Sequence, residues 1–199
     1  MEPGCVRVES LFVATLTHIS DLHFGRPAVA ERLDALKEYI AEIQPDAVAI
    51  SGDLTQRCTN REFSNARAYL DSLGEIAPCT VIPGNHDIPY TFPKRFTRTW
   101  HEFENRWETT EPIFRADGLV VVGLNSVRPW RHQSGRIHRR QLLHVAKAFV
   151  DLPNDVTAKD VILEMLRRHG VDGHRAERLE TDPARARRTG RWSGPWLRS

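Results

Sequence analysis

A chain of 199 residues, 40% hydrophobic and 27% charged, is long enough for one domain with a sizeable core and too apolar to be disordered throughout. No apolar run reaches the length of a membrane span, residues 11–19 are too short and polar for a secretory leader, and Cys5, Cys58 and Cys79 are too few and scattered for a disulfide framework. A cytoplasmic domain with reduced thiols is therefore expected, and its basicity belongs to the tail: residues 175–199 carry seven Arg against Glu177, Glu180 and Asp182, while the whole chain carries only +2.

Residues 1–10 read as an irregular lead-in, and 11–20, rich in Val, Thr, Leu and Ile, as a first strand ending at Asp21-Leu22-His23. Leu33, Leu36, Ile40 and Ile43 recur at spacings of three, four and three, which predicts a helix ended by Pro45. Residues 46–51 form a continuously apolar run, the mark of a strand buried on both faces, and lead into Gly52-Asp53-Leu54-Thr55. Thr59-Asn60-Arg61-Glu62 is a capping box opening a second helix, with Phe63, Ala66, Leu70 and Leu73 inward and Gly74 at its close. A third strand, 79–83, runs into Gly84-Asn85-His86-Asp87. Strand, helix, strand, helix, strand with short links predicts right-handed βαβ units and a parallel sheet, an α/β fold of sheets flanked by helices.

Beyond it, Phe96, Trp100, Phe103 and Trp107 predict an amphipathic helix laid on the core. Residues 113–125 predict a hairpin turning at Asp117-Gly118. Leu142, Leu143, Ala146 and Phe149 predict a further helix, and Val161, Ile162, Met165 and Leu166 predict another over 158–169, stopped at Gly170. No periodicity remains after Asp172, so residues 171–199 are expected to be an Arg-rich, disordered tail behind a domain at 11–170. A solvated tail is the stronger reading than a nucleic-acid-binding one.

Three apolar runs each end in the same chemistry, which is where open α/β sheets place their sites. Asp21, His23, Asp53 and Asn85 brought to one sheet edge would offer carboxylate, imidazole and amide ligands, a set suited to Mn, Fe or Zn rather than Ca or Mg. Such a centre with two ions lowers the pKa of a bound water and clamps phosphoryl oxygens, with Asp53 placed to bridge. His86, beside a ligand without being required as one, suits proton donation to a leaving oxygen. Each residue also has a purely structural reading: Asp21 as a cap, Asn85 in a left-handed turn, His23 as a satisfied loop histidine. For three motifs at successive strand ends, metal chemistry is the better account.

Asp21-x-His23, Gly52-Asp53 and Gly84-Asn85-His86-Asp87, in that order, resemble the calcineurin-like metallophosphoesterase superfamily. The longer stretches around them are similar to its bacterial cyclic-nucleotide phosphodiesterase-like branch, over about residues 16–150. The resemblance implies a layered sheet core and two divalent ions, with Asp21 and His23 on the first, Asp53 bridging, Asn85 on the second and His86 catalytic. It also implies a small phosphoester substrate such as a cyclic nucleotide, while the absence of a long apolar run argues against a membrane partner and the solvated reading of the tail makes nucleic acid an unexpected one. The superfamily would next supply a strand with a His-His-Pro-like loop and then a Gly-His-x-His loop. This chain offers only Gly173-His174-Arg175-Ala176, so the second sheet is expected to be incomplete and the C-terminus truncated or frame-altered. A catalytically weak relative that binds metal or nucleotide without turnover is the alternative.

Overall fold

The computed structural model describes residues 14–25, 30–116, 118–131 and 134–150, together with the backbone of 158–163. The first sheet is parallel, in the order β1 (Leu16–Ser20), β2 (Ala47–Ser51), β3 (Cys79–Ile82), with Ser20 beside Ser51 and Ser51 beside Ile82. The strands therefore end level with one another and deliver their loops to one edge. Helices α1 (Ala30–Ile43) and α2 (Asn60–Gly74) make the crossovers. The capping box at the start of α2 is formed: the Thr59 side chain accepts from the Glu62 N–H, and Glu62 Oε2 accepts from the Thr59 N–H.

A second sheet follows in the order β4 (Ile113–Ala116), β5 (Leu119–Leu124), β6 (Ala158–Leu163). β4 and β5 form the expected antiparallel hairpin, and β6 runs parallel to β5 from Leu119 beside Ala158 to Leu124 beside Leu163. The helix predicted over 158–169 is thus corrected to a strand where the chain is described. Val161 and Ile162 are adjacent rather than spaced, and a short apolar run does not by period alone distinguish a buried strand from a helix. Partners across the sheet, which no local pattern shows, decide it.

Strand alternation sorts the side chains into three cores. On β2, Val48 and Ile50 turn toward α1 and α2, joining Leu33, Ile40, Phe63, Leu70 and Leu73, while Ala47 and Ala49 turn toward the second sheet, where Ile82, Leu119 and Val121 meet them. On β5, Val120, Val122 and Leu124 turn the other way, onto Ala148 of α5 (Arg139–Val150). The layers are helix, sheet, sheet, helix. Small side chains on β2 let the sheets approach, and at Gly123 the approach is so close that a Cβ would lie 2.5 Å from Ile82 Cγ2.

The aromatic helix across 96–107 is not one helix. A short α3 (Lys94–Thr97) and α4 (His101–Trp107) are separated by Arg98–Trp100, and only Phe103 of the four aromatics is fully buried. Phe96 instead stacks on the exposed Trp130, with ring centroids 4.1 Å apart. The first strand begins at Leu16, later than the composition suggested. Residues 171–199 and His174 lie outside the described residues. Among the described residues no helix is long and apolar enough to cross a membrane.

Candidate metal centre

The loops after β1 and β2 run side by side beyond the strands. The N–H of His23 donates to the Asp53 carbonyl at 2.9 Å, and that of Phe24 donates to Leu54 at 2.8 Å, so the parallel ladder continues past the sheet. Asp21, His23 and Asp53 are held there with φ of 60°, 46° and 49°, a left-handed backbone that non-glycine residues seldom adopt. Three such residues at one sheet edge mark a place where local strain is accepted to aim side chains inward.

The loop after β3 is fastened to the second loop by Asp87. This carboxylate is fully buried and accepts from the N–H groups of Gly84 (2.8 Å), Leu54 (3.1 Å) and Thr55 (2.8 Å), with the Thr55 hydroxyl 2.9 Å away. Burial pushes its pKa up to about 6, against the lowering effect of those donors. Gly84 is needed for the close approach, because a Cβ there would lie 2.1 Å from the Asp53 nitrogen. The His86 N–H then donates to Asp53 Oδ1 at 2.9 Å.

His23 Nε2 consequently stands 3.6 Å from Asp21 Oδ1 and 3.9 Å from Asp53 Oδ2. His23, Asp53 and His86 each bring a ligand atom to within 4.8 Å of the others. The His23 and His86 rings meet edge to face at a centroid distance of 4.9 Å. Asn85 opens the 3-10 turn Asn85–Asp87 and is buried at the same edge, so the left-handed turn considered for it is not what it adopts. Asp21 is the exposed member, its Oδ2 accepting from Ser20 Oγ at 2.7 Å. Burial raises the pKa of Asp53, opposed by the His86 N–H and by the two imidazoles.

These residues fit a divalent cation. His23 Nδ1 is buried without a hydrogen-bond partner, and its Nε2 is too far from either carboxylate for a good hydrogen bond. It is Nε2 that faces both carboxylates, at separations that leave room for a cation shared by the three groups. Mixed oxygen and nitrogen donors are what Mn, Fe and Zn accept.

Sequence reasoning missed two groups that reach this site, Tyr90 and the Gln56 carbonyl. Tyr90 Oη lies 2.7 Å from His86 Nδ1, and Gln56 O lies 3.0 Å from it. Neither belongs to a periodic pattern, and a backbone carbonyl has no sequence signal. Asp87 closes the Gly84-Asn85-His86-Asp87 motif, but its role as a clamp is visible only in three dimensions.

A family model described as calcineurin-like phosphoesterase matches residues 14–183, extending past the 16–150 over which the resemblance was expected. Among curated proteins, a glycerophosphodiester phosphodiesterase of Enterobacter lignolyticus is 36% identical over 87 residues, covering 36% of this chain and 29% of that protein. A protein of Synechococcus named as a probable cyclic nucleotide phosphodiesterase is 27% identical over 136 residues, covering 64% of this chain and 49% of its own length. The chain thus spans half or less of the length of these curated relatives. Among solved structures, a purple acid phosphatase from yellow lupin (Lupinus luteus) seeds shares the fold with a TM-score of 0.54 at 12% identity, covering 74% of this chain and 29% of that one.

Proposed function

The chain belongs to the calcineurin-like phosphoesterase family, and on that premise we propose that it is a metal-dependent hydrolase of phosphodiesters, with small cyclic-nucleotide-like diesters as the substrate class. The observation that carries this reading is the cluster in which His23, Asp53 and His86 bring ligand atoms within 4.8 Å of one another, with His23 Nε2 3.6 Å from Asp21 Oδ1 and 3.9 Å from Asp53 Oδ2. Asp21 and His23 would hold one divalent ion, Asp53 would bridge, and Asn85 would hold a second. When bound, such a pair supplies hydroxide near neutral pH and neutralises charge on the phosphoryl oxygens.

The chain's own residues do the rest. Asp53 is kept in place by two separate bonds, its carbonyl accepting from the His23 N–H, which fixes its backbone, and its Oδ1 accepting from the His86 N–H, which fixes its carboxylate. His86 has its backbone tied to Asp53 and its ring presented beside His23, a placement suited to giving a proton to the departing alkoxide. The diester preference draws on the phosphodiesterase names of both curated relatives.

Asp53→Ala is expected to abolish Mn-dependent hydrolysis of bis(p-nitrophenyl) phosphate, because a bridging ligand serves both ions. Unchanged turnover in that variant would remove the proposal. A second reading, metal binding without turnover, is favoured by one observation: the strand β6 is present, yet Glu164 and Met165 follow it where the resemblance expects a His-His-Pro-like loop. Tightly held Mn with hydrolysis by the wild-type chain would exclude it.

A further inference from the structure

The ring of His86 is gripped by groups outside the metal cluster. Tyr90 lies four residues on, past the fully buried Ile88, and its hydroxyl comes 2.7 Å from His86 Nδ1. The Gln56 carbonyl, from the loop after β2, stands 3.0 Å from the same nitrogen and 3.4 Å from the Tyr90 hydroxyl. A carbonyl oxygen only accepts, so a bare Nδ1 would face it lone pair against lone pair. With the proton on Nδ1, that N–H donates to Gln56 O and Tyr90 Oη, and the phenol O–H donates onward to Gln56 O. Each hydrogen then has an acceptor. A neutral imidazole so held carries its lone pair on Nε2, and a protonated one carries its second N–H there.

Nothing in the metal cluster requires this grip. The His86 backbone is already fixed through Asp53 Oδ1, and the contact of its ring with His23 at 4.9 Å does not select a tautomer. The Tyr90 ring, 6.0 Å from the His86 ring at an interplanar angle of 66°, adds a second edge contact. Tyr90 is 44% exposed, so its hydroxyl is not there to satisfy a buried core.

We propose that Tyr90 is a positioning residue: with the Gln56 carbonyl it fixes His86 as the Nδ1–H tautomer and turns Nε2 toward the leaving oxygen of the phosphoester. The consequence for turnover rests on the role proposed above for His86, whereas the state of the ring does not. Both are read with Tyr90→Phe, which keeps the ring and, at a half-exposed position, the fold.

In metal-free protein labelled with 15N-histidine, long-range proton–nitrogen spectra of wild type are expected to show neutral His86 protonated at Nδ1. Tyr90→Phe is expected to populate the Nε2–H form as well. In the Mn-loaded enzyme the same substitution should lower kcat on a 2′,3′-cyclic nucleotide, whose leaving group is an alkoxide that needs a proton, by about 10-fold, within the usual range for loss of an orienting partner, and leave KM nearly unchanged. Wild-type His86 protonated at Nε2, or an identical tautomer in Tyr90→Phe, would overturn the grip. An altered tautomer with undiminished kcat would overturn the positioning role, and His86→Ala locates the failure. Turnover lost there removes only the part given to Tyr90, while turnover kept there removes the catalytic reading of His86 itself.

Discussion

Replacing Asp87 by Ala would leave the three buried N–H groups of Gly84, Leu54 and Thr55 facing an empty space, and the loops carrying Asp53 and His86 would lose the main part of their fastening. At roughly 1–3 kcal/mol for each buried donor left unsatisfied, partly relieved by water, a loss of about 3 kcal/mol or more is expected in urea denaturation of the metal-free protein. A change under about 0.5 kcal/mol, the size of an ordinary surface substitution, would mean the clamp is incidental. Cys58 provides a pH test of the same neighbourhood. Burial first, then the charges of Asp87, Glu102 and Glu62, pushes its thiol up to about 12. A raised pKa makes thiolate scarce at pH 8, so iodoacetamide should label Cys58 slowly and about tenfold faster per pH unit, without a plateau, through pH 10. Labelling that levels off near pH 9 would show the thiol to be exposed and uncrowded.

The elements divide into those whose partners are local and those whose partners are not. The capping box at Thr59 and Glu62, the spacing of Leu33, Leu36, Ile40 and Ile43, and the apolar run of β2 each state their structure within a few residues, and the fold agrees with them. The motif residues were legible for the same reason, since Asp21, Asp53 and Asn85 each close one βα repeat. Strand β6 was not, because its pairing with β5 spans the whole of α5. The split between α3 and α4 was hidden too: an aromatic spacing of four, three and four does not reveal that Phe96 is drawn to Trp130, 34 positions later. Two glycines test the layering. Gly123→Ala drives a methyl group into Ile82 and Pro112 between the sheets, and overpacking of this kind is expected to cost about 1–3 kcal/mol. Gly74→Ala meets nothing within 4 Å at the end of α2 and should be neutral or stabilising by up to about 1 kcal/mol. Equal effects by chemical denaturation would contradict the close approach of β3 and β5.

Across the whole molecule, two sheets stacked through Ala47, Ala49, Ile82, Leu119 and Val121 make a rigid support for strained loops. The positive φ of Asp21, His23 and Asp53 persists because level strand ends and the Asp87 clamp over-determine the backbone there. Metal content reads the site directly, apart from the stability of the scaffold. The most direct measurement is therefore elemental analysis of wild type and Asp53→Ala, purified without added metal, loaded with Mn and freed of excess by gel filtration. The account predicts two ions per wild-type chain and loss of both in the variant, as a bridging carboxylate requires. Less than one ion per wild-type chain, or equal retention by the two proteins, would contradict it.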